Sequence, residues 1–135
     1  MMLIKPIVLA VLILAAPLVH AAPAFQSVAG CKEADYVLIE GNAKVAFKGL
    51  GYAPRCLTVR EGATVTLPGS SIHPLQGMAK IAGVSNPFQT GAGQSNAVAQ
   101  DLKILGYYGF FCTNHGAPNG SGMAGAVRVI VAKKP

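Results

Sequence analysis

Tyr107-Tyr108-Gly109-Phe110-Phe111-Cys112-Thr113-Asn114-His115 is the stretch that decides how this 135-residue chain is read. Its first half is aromatic and has no helical spacing of apolar residues, which predicts a strand over Gly106–Cys112. Successive side chains of a strand point to opposite faces. Tyr108, Phe110 and Cys112 therefore share one face, and Tyr107, Gly109 and Phe111 share the other. Both faces are apolar, so both must be covered.

Working outward, the same kind of short run recurs. Strands are predicted at Tyr36–Glu40, Lys44–Phe47, Cys56–Arg60, Thr64–Pro68, Asn96–Gln100 and Ala124–Ala132. Gly41-Asn42 and Glu61-Gly62 are turn signals between them. In the last run Val127, Val129 and Val131 alternate with Arg128 and Ile130, which gives it one plainly apolar face. Leu75–Gly93 is the least strand-like segment and predicts a loop with at most a short helical turn. Seven short strands in this length predict an all-β fold, a Greek-key two-sheet β-sandwich. Pattern alone also suits a sandwich that binds a partner with its loops and no metal.

The beginning of the chain is a different kind of sequence. Lys5 precedes an uninterrupted apolar run, Pro6 to Val19, and Val19-His20-Ala21 offers the small or apolar residues a signal peptidase reads. The run is shorter than the ~20 residues that span a bilayer. Residues 1–21 are therefore expected to be a signal peptide and 22–135 the mature domain, periplasmic or secreted, with no transmembrane helix. Loss of Lys5 lowers the formal charge of +6 by one. The remaining basic balance carries no Lys/Arg cluster of the kind that tracks phosphates, so nucleic acid is not an expected partner. It serves either solubility or steering toward an acidic protein.

The second half of the deciding stretch carries the chemistry. Of three histidines, His20 leaves with the signal peptide, so His73 and His115 remain. His115 follows Cys112 by three residues, and Met123 follows across a loop, in Gly122-Met123-Ala124-Gly125. His73 lies between two earlier strands, in Ser71-Ile72-His73-Pro74. Each has an ordinary reading alone: a buried Cys as a small core residue, a Met as a gap filler. Together, two imidazoles and a thiolate with a weak axial thioether form the donor set of a blue-copper site. Thiolate and thioether suit Cu(I), and imidazole suits both oxidation states.

On these residues the chain resembles the plastocyanin/azurin-type cupredoxins, from about Tyr52 to the C-terminus and most specifically over Tyr107–Gly125. The resemblance implies about seven to eight strands with one copper ion at one end of the sandwich. His73 and His115 would be imidazole ligands, Cys112 the thiolate and Met123 the axial ligand. It also implies a monomeric one-electron carrier between a redox protein donor and acceptor, with electrons passing at an exposed His115, and not an enzyme. A protein that delivers or buffers copper is the alternative. Three departures stand out. Gly116–Gly122 makes a long connection between His115 and Met123, and Phe111 stands where Tyr is frequent. Pro74 follows the first histidine, where a backbone N–H can donate to the cysteine sulfur, and proline has none. Asn114 keeps its N–H and is expected to be the replacement donor to Cys112. Met78 is expected to pack near the site without binding the metal.

Cys31 and Cys56 are left once Cys112 is assigned. An even pair in an oxidising compartment favours a disulfide. Ser27-Val28-Ala29-Gly30-Cys31 also resembles a lipobox, in which Cys31 would carry a lipid anchor and Cys56 would be unpaired.

Overall fold

A computed structural model describes residues 21–135. The expected signal peptide falls almost wholly outside the described residues. Ten strands follow one another: β1 Val37–Leu38, β2 Ala43–Lys44, β3 Ala46–Phe47, β4 Tyr52–Ala53, β5 Cys56–Arg60, β6 Ala63–Leu67, β7 Leu75–Gly77, β8 Val98–Leu102, β9 Gly106–Gly116 and β10 Gly122–Ile130. One turn of 3-10 helix, Glu33–Asp35, precedes them. Five strands form one sheet in the order β1-β5-β10-β9-β7, and three form a second in the order β2-β6-β8. β3 and β4 pair as a separate hairpin. The chain crosses between the two larger sheets on leaving β5, β6, β7 and β8. The expected two-sheet sandwich is therefore what forms.

The alternation in β9 is realised residue by residue. Tyr108, Phe110 and Cys112 join Leu57, Val59, Val127 and Val129 in the core between the sheets, against Ala63, Val65, Leu67 and Leu102 of the second sheet. Tyr107 and Phe111 face outward into a second buried cluster with Val28, Ala29, Cys31, Cys56, Met78, Ala124 and Ala126. The outer face is dry because the N-terminal segment lies across it. A disulfide between Cys31 and Cys56, Cα atoms 5.9 Å apart, ties that segment to the first residue of β5. Arg55 supports it, donating to the carbonyl oxygens of Ala29 and Ala124. Cys31 is fully buried and used by this bond, which leaves no thiol for the lipid anchor considered above.

Two strands arise where none was expected. β4 pairs with β3 and places Tyr52 in the core. β7 lies inside the segment taken as a loop, and pairs antiparallel with the end of β9, Leu75 opposite Cys112. The remainder of that segment folds back over β7. Leu75 and Gln94 exchange backbone hydrogen bonds, and the Gly77 N–H donates to the Phe88 carbonyl. Asn86 is buried and fully used: its amide donates to the carbonyls of Met78 and Gly109, and its oxygen accepts from the Phe88 N–H. The segment holds turns and bridges in place of the short helical turn expected there.

Candidate metal centre

At one end of the sandwich β9 and β10 stop matching one to one. Ala124 lies opposite Phe111, yet Gly122 lies opposite Gly116. Cys112, Thr113, Asn114 and His115 thus face a single residue, Met123. An insertion of this kind bends the strand and re-aims its side chains. Cys112 keeps the inward place that the alternation gives it, and beyond it the bulge leaves His115 exposed to solvent. Closing so tight a bulge needs glycine at both ends. A Cβ at Gly122 would strike the His115 carbonyl oxygen, and its φ of +71° is one that glycine adopts without strain.

His73 arrives from the other sheet, on the crossover from β6 to β7. A tight turn holds it: its N–H donates to Ser70 Oγ at 3.0 Å, and its carbonyl accepts from the Ser70 N–H at 3.1 Å. The β3–β4 hairpin closes over it. The Phe47 ring lies 5.2 Å from the His73 ring, centroid to centroid. Tyr52, its hairpin partner, packs edge-on to Phe110 at 4.9 Å. The Tyr52 hydroxyl is buried without a hydrogen-bond partner. Burial, with the nearby Cys112 charge adding to it, holds that phenol above its ordinary ionisation range.

The three donors meet. Cys112 Sγ lies 3.5 Å from His115 Nδ1 and 3.8 Å from His73 Nδ1, and the two Nδ1 atoms are 3.1 Å apart. Donors bound to one ion at about 2.0–2.3 Å and spread at trigonal angles would be separated by about 3.5–3.7 Å. The two edges to sulfur are close to that size, and the shorter edge between the nitrogens corresponds to a narrower angle at one shared ion. Cys112 is the one free cysteine among the described residues, and it is fully buried. It also belongs to the one group of three or more His, Cys, Asp or Glu side chains placed to share a metal among those residues. Met123 is 1% exposed and sits in the same core cluster as Cys112, at the bulge. Met78 packs on the opposite face of the sheet, over Gly109, away from the triangle.

Neighbours of the triangle go beyond the expectation. The Asn114 side chain crosses to the Ile72 carbonyl at 2.9 Å. Phe47 and Tyr52 were not anticipated as neighbours of the site. Sequence offers only a weak sign of them, two aromatics flanking a Lys48–Gly51 turn.

The fold is cupredoxin-like. A copper-containing nitrite reductase from Thermus scotoductus SA-01 superposes with a TM-score of 0.51 at 15% identity, over 76% of this chain and 29% of that one. The chain thus spans less than a third of that enzyme's length. A pseudoazurin from Methylobacterium extorquens AM1 gives a TM-score of 0.48 at 19% identity, over 71% of this chain and 78% of its own. Plastocyanin from Dryopteris crassirhizoma gives 0.44 at 18% identity, over 69% and 99%. At these identities the likeness is one of fold. No protein-family model matches the chain, and no curated protein does.

Proposed function

We propose that this chain is an exported one-electron carrier that holds a single type 1 copper ion between His73, Cys112 and His115, with Met123 as the axial ligand. The observation that carries this reading is the triangle itself: a buried free thiol with two imidazole Nδ1 atoms at 3.5 and 3.8 Å. Copper bound there supplies reversible exchange between Cu(I) and Cu(II), and the mixed soft and borderline donors suit both states.

The chain's own residues divide the remaining work. Cys112 and Met123 are buried, so their sulfurs are screened from water and from stray oxidants. The exposed edge of His115 is the contact point for a redox donor and acceptor. Exposed Ile72 and Pro118, with half-buried Ala117, give its surroundings a small apolar character that allows close approach. The basic surface steers an acidic partner. Export and removal of residues 1–21 are supported by the apolar N-terminal run and by a disulfide, which persists in oxidising compartments. A carrier, and not a copper delivery protein or an enzyme, is favoured by a mixed donor set whose two sulfurs lie in the packed core.

The test is the visible spectrum of the protein loaded with Cu(II). An intense thiolate-to-copper band is expected, and Cys112→Ser should abolish it because a hydroxyl cannot replace the thiolate. A colourless wild-type protein, or colour that survives Cys112→Ser, overturns the reading.

A further inference from the structure

His73 is held by more than its own turn. The two carbonyls that flank it in the chain, those of Ile72 and Pro74, each accept a hydrogen bond from the segment between Cys112 and His115. The Thr113 N–H donates to Pro74 O at 3.0 Å, and the Asn114 side-chain amide donates to Ile72 O at 2.9 Å. The His73 N–H and carbonyl are themselves occupied by Ser70. The backbone on both sides of one ligand is thus pinned to the segment that carries the other two. Gly93 closes the stack from behind. A Cβ there would press at 2.9 Å on Pro74 Cβ and at 3.1 Å on the Thr113 side chain, so the covering loop also rests on this junction.

Of the two cross-bonds, the Thr113 bond is made by backbone and tolerates any residue but proline. The Asn114 bond depends on one side chain. From this arrangement we infer that Asn114 is a positioning residue of the metal centre, whose amide sets how firmly His73 is presented to the ion. The inference rests on the function proposed above and extends it to a residue outside the donor set. The Asn114 amide bonds to backbone and not to a donor side chain. Its effect passes through the Ile72 carbonyl to the His73 backbone.

The consequence has a sign. Imidazole suits both oxidation states, but Cu(I) keeps the thiolate and thioether it prefers when an imidazole is loosened, whereas Cu(II) leans more on the remaining nitrogen donor. A loosened His73 therefore weakens Cu(II) binding more than Cu(I) binding and raises the reduction potential. Partners that orient a metal ligand typically contribute about 10–100-fold in metal affinity. The low end suits a solvent-exposed bond. A tenfold loss in Cu(II) affinity with Cu(I) affinity unchanged corresponds to a rise of about 59 mV for one electron.

The experiment uses Asn114→Leu, which keeps about the size but loses the donor, and Asn114→Ala. Asn119→Ala is the comparison, since the Asn119 side chain serves only Ser121 at the same end of the molecule. Copper affinity by chelator competition, the visible spectrum and the potential are measured together, with a thermal melt of each metal-free protein to confirm the fold. The expected result is about tenfold weaker Cu(II) binding, a shifted band and a higher potential in both Asn114 variants, with Asn119→Ala unchanged. Blue Asn114 variants that match the wild type in all three readouts overturn the inference and leave the copper reading intact. An equal shift in Asn119→Ala also overturns it, because general loosening would then explain the effect. A wild-type protein that stays colourless with Cu(II) sinks both.

Discussion

A Cβ at Gly116 would fall inside the van der Waals shell of the Met123 carbonyl oxygen and 3.1 Å from the Cys112 carbonyl oxygen. The bulge that gathers the donors closes at this point, with backbone against backbone, so no flexible side chain can yield. Gly116→Ala should therefore destabilise the protein by about 1–3 kcal/mol, the usual cost of overpacking. It should also alter the copper spectrum, because the strain is relieved by moving Met123. Gly51→Ala, whose Cβ would make ordinary contact with the Lys48 carbonyl oxygen at 3.4 Å, should stay within about 0.5 kcal/mol. Urea titrations of both variants check the contrast.

The Cys31–Cys56 bond closes a loop with a sequence separation of 25. Constraining the unfolded chain over that length is worth about 3 kcal/mol in the loop-entropy model. Cys31→Ser/Cys56→Ser should lose about that much in a urea titration. The loss should be accompanied by faster hydrogen exchange in β5 and at Val28 and Ala29. A double variant as stable as the parent would show that the outer cluster holds the N-terminal segment unaided.

Alkaline pH should destabilise the protein through its buried phenols. Burial holds the phenols of Tyr36, Tyr52 and Tyr108 above their ordinary value of 10.0, with Tyr107 adding at Tyr36 and Cys112 at Tyr52. The folded chain then keeps protons that the unfolded chain releases. Their contribution is full below pH 10 and is lost as the pH rises above it. Melting temperature measured upward from pH 9 should be flat and then fall, and Tyr52→Phe should make the fall shallower.

Electron transfer to an acidic partner protein should slow as salt is added. Exposed charges more than about 10 Å apart are largely screened at 0.1 M ionic strength. Complementary charge acts mainly on the rate of encounter. Stopped-flow rates across a salt series test it, and a rate that does not change removes steering from the proposal while leaving His115 as the contact point.

The faces of β9 were legible because side chains alternate with a period of two, and Tyr108, Phe110 and Cys112 are buried together between the sheets as that period requires. Cys112, His115 and His73 were legible from residue type as a thiol and two imidazoles, and the fold brings the three into one group. β7 was not. Leu75-Gln76-Gly77 is too short to show a period, and it is a strand because β9 offers it an open edge. Met123 could be named from residue type, but not the bulge that sets it opposite four residues, since register is a property of two strands together. The Asn114 side-chain bond to the Ile72 carbonyl was not legible either, because it joins two segments that only the fold brings together.

His73 reaches the triangle on a crossover between the sheets, whereas Cys112 and His115 share one strand. An unfolded chain keeps only the latter pair close together, and a thiol with one imidazole is an indiscriminate ligand. The third vertex arrives when the two sheets meet. On the proposed function the donor set is complete only once the polypeptide has closed on itself, and an ion met earlier finds fewer points of attachment than the native protein offers.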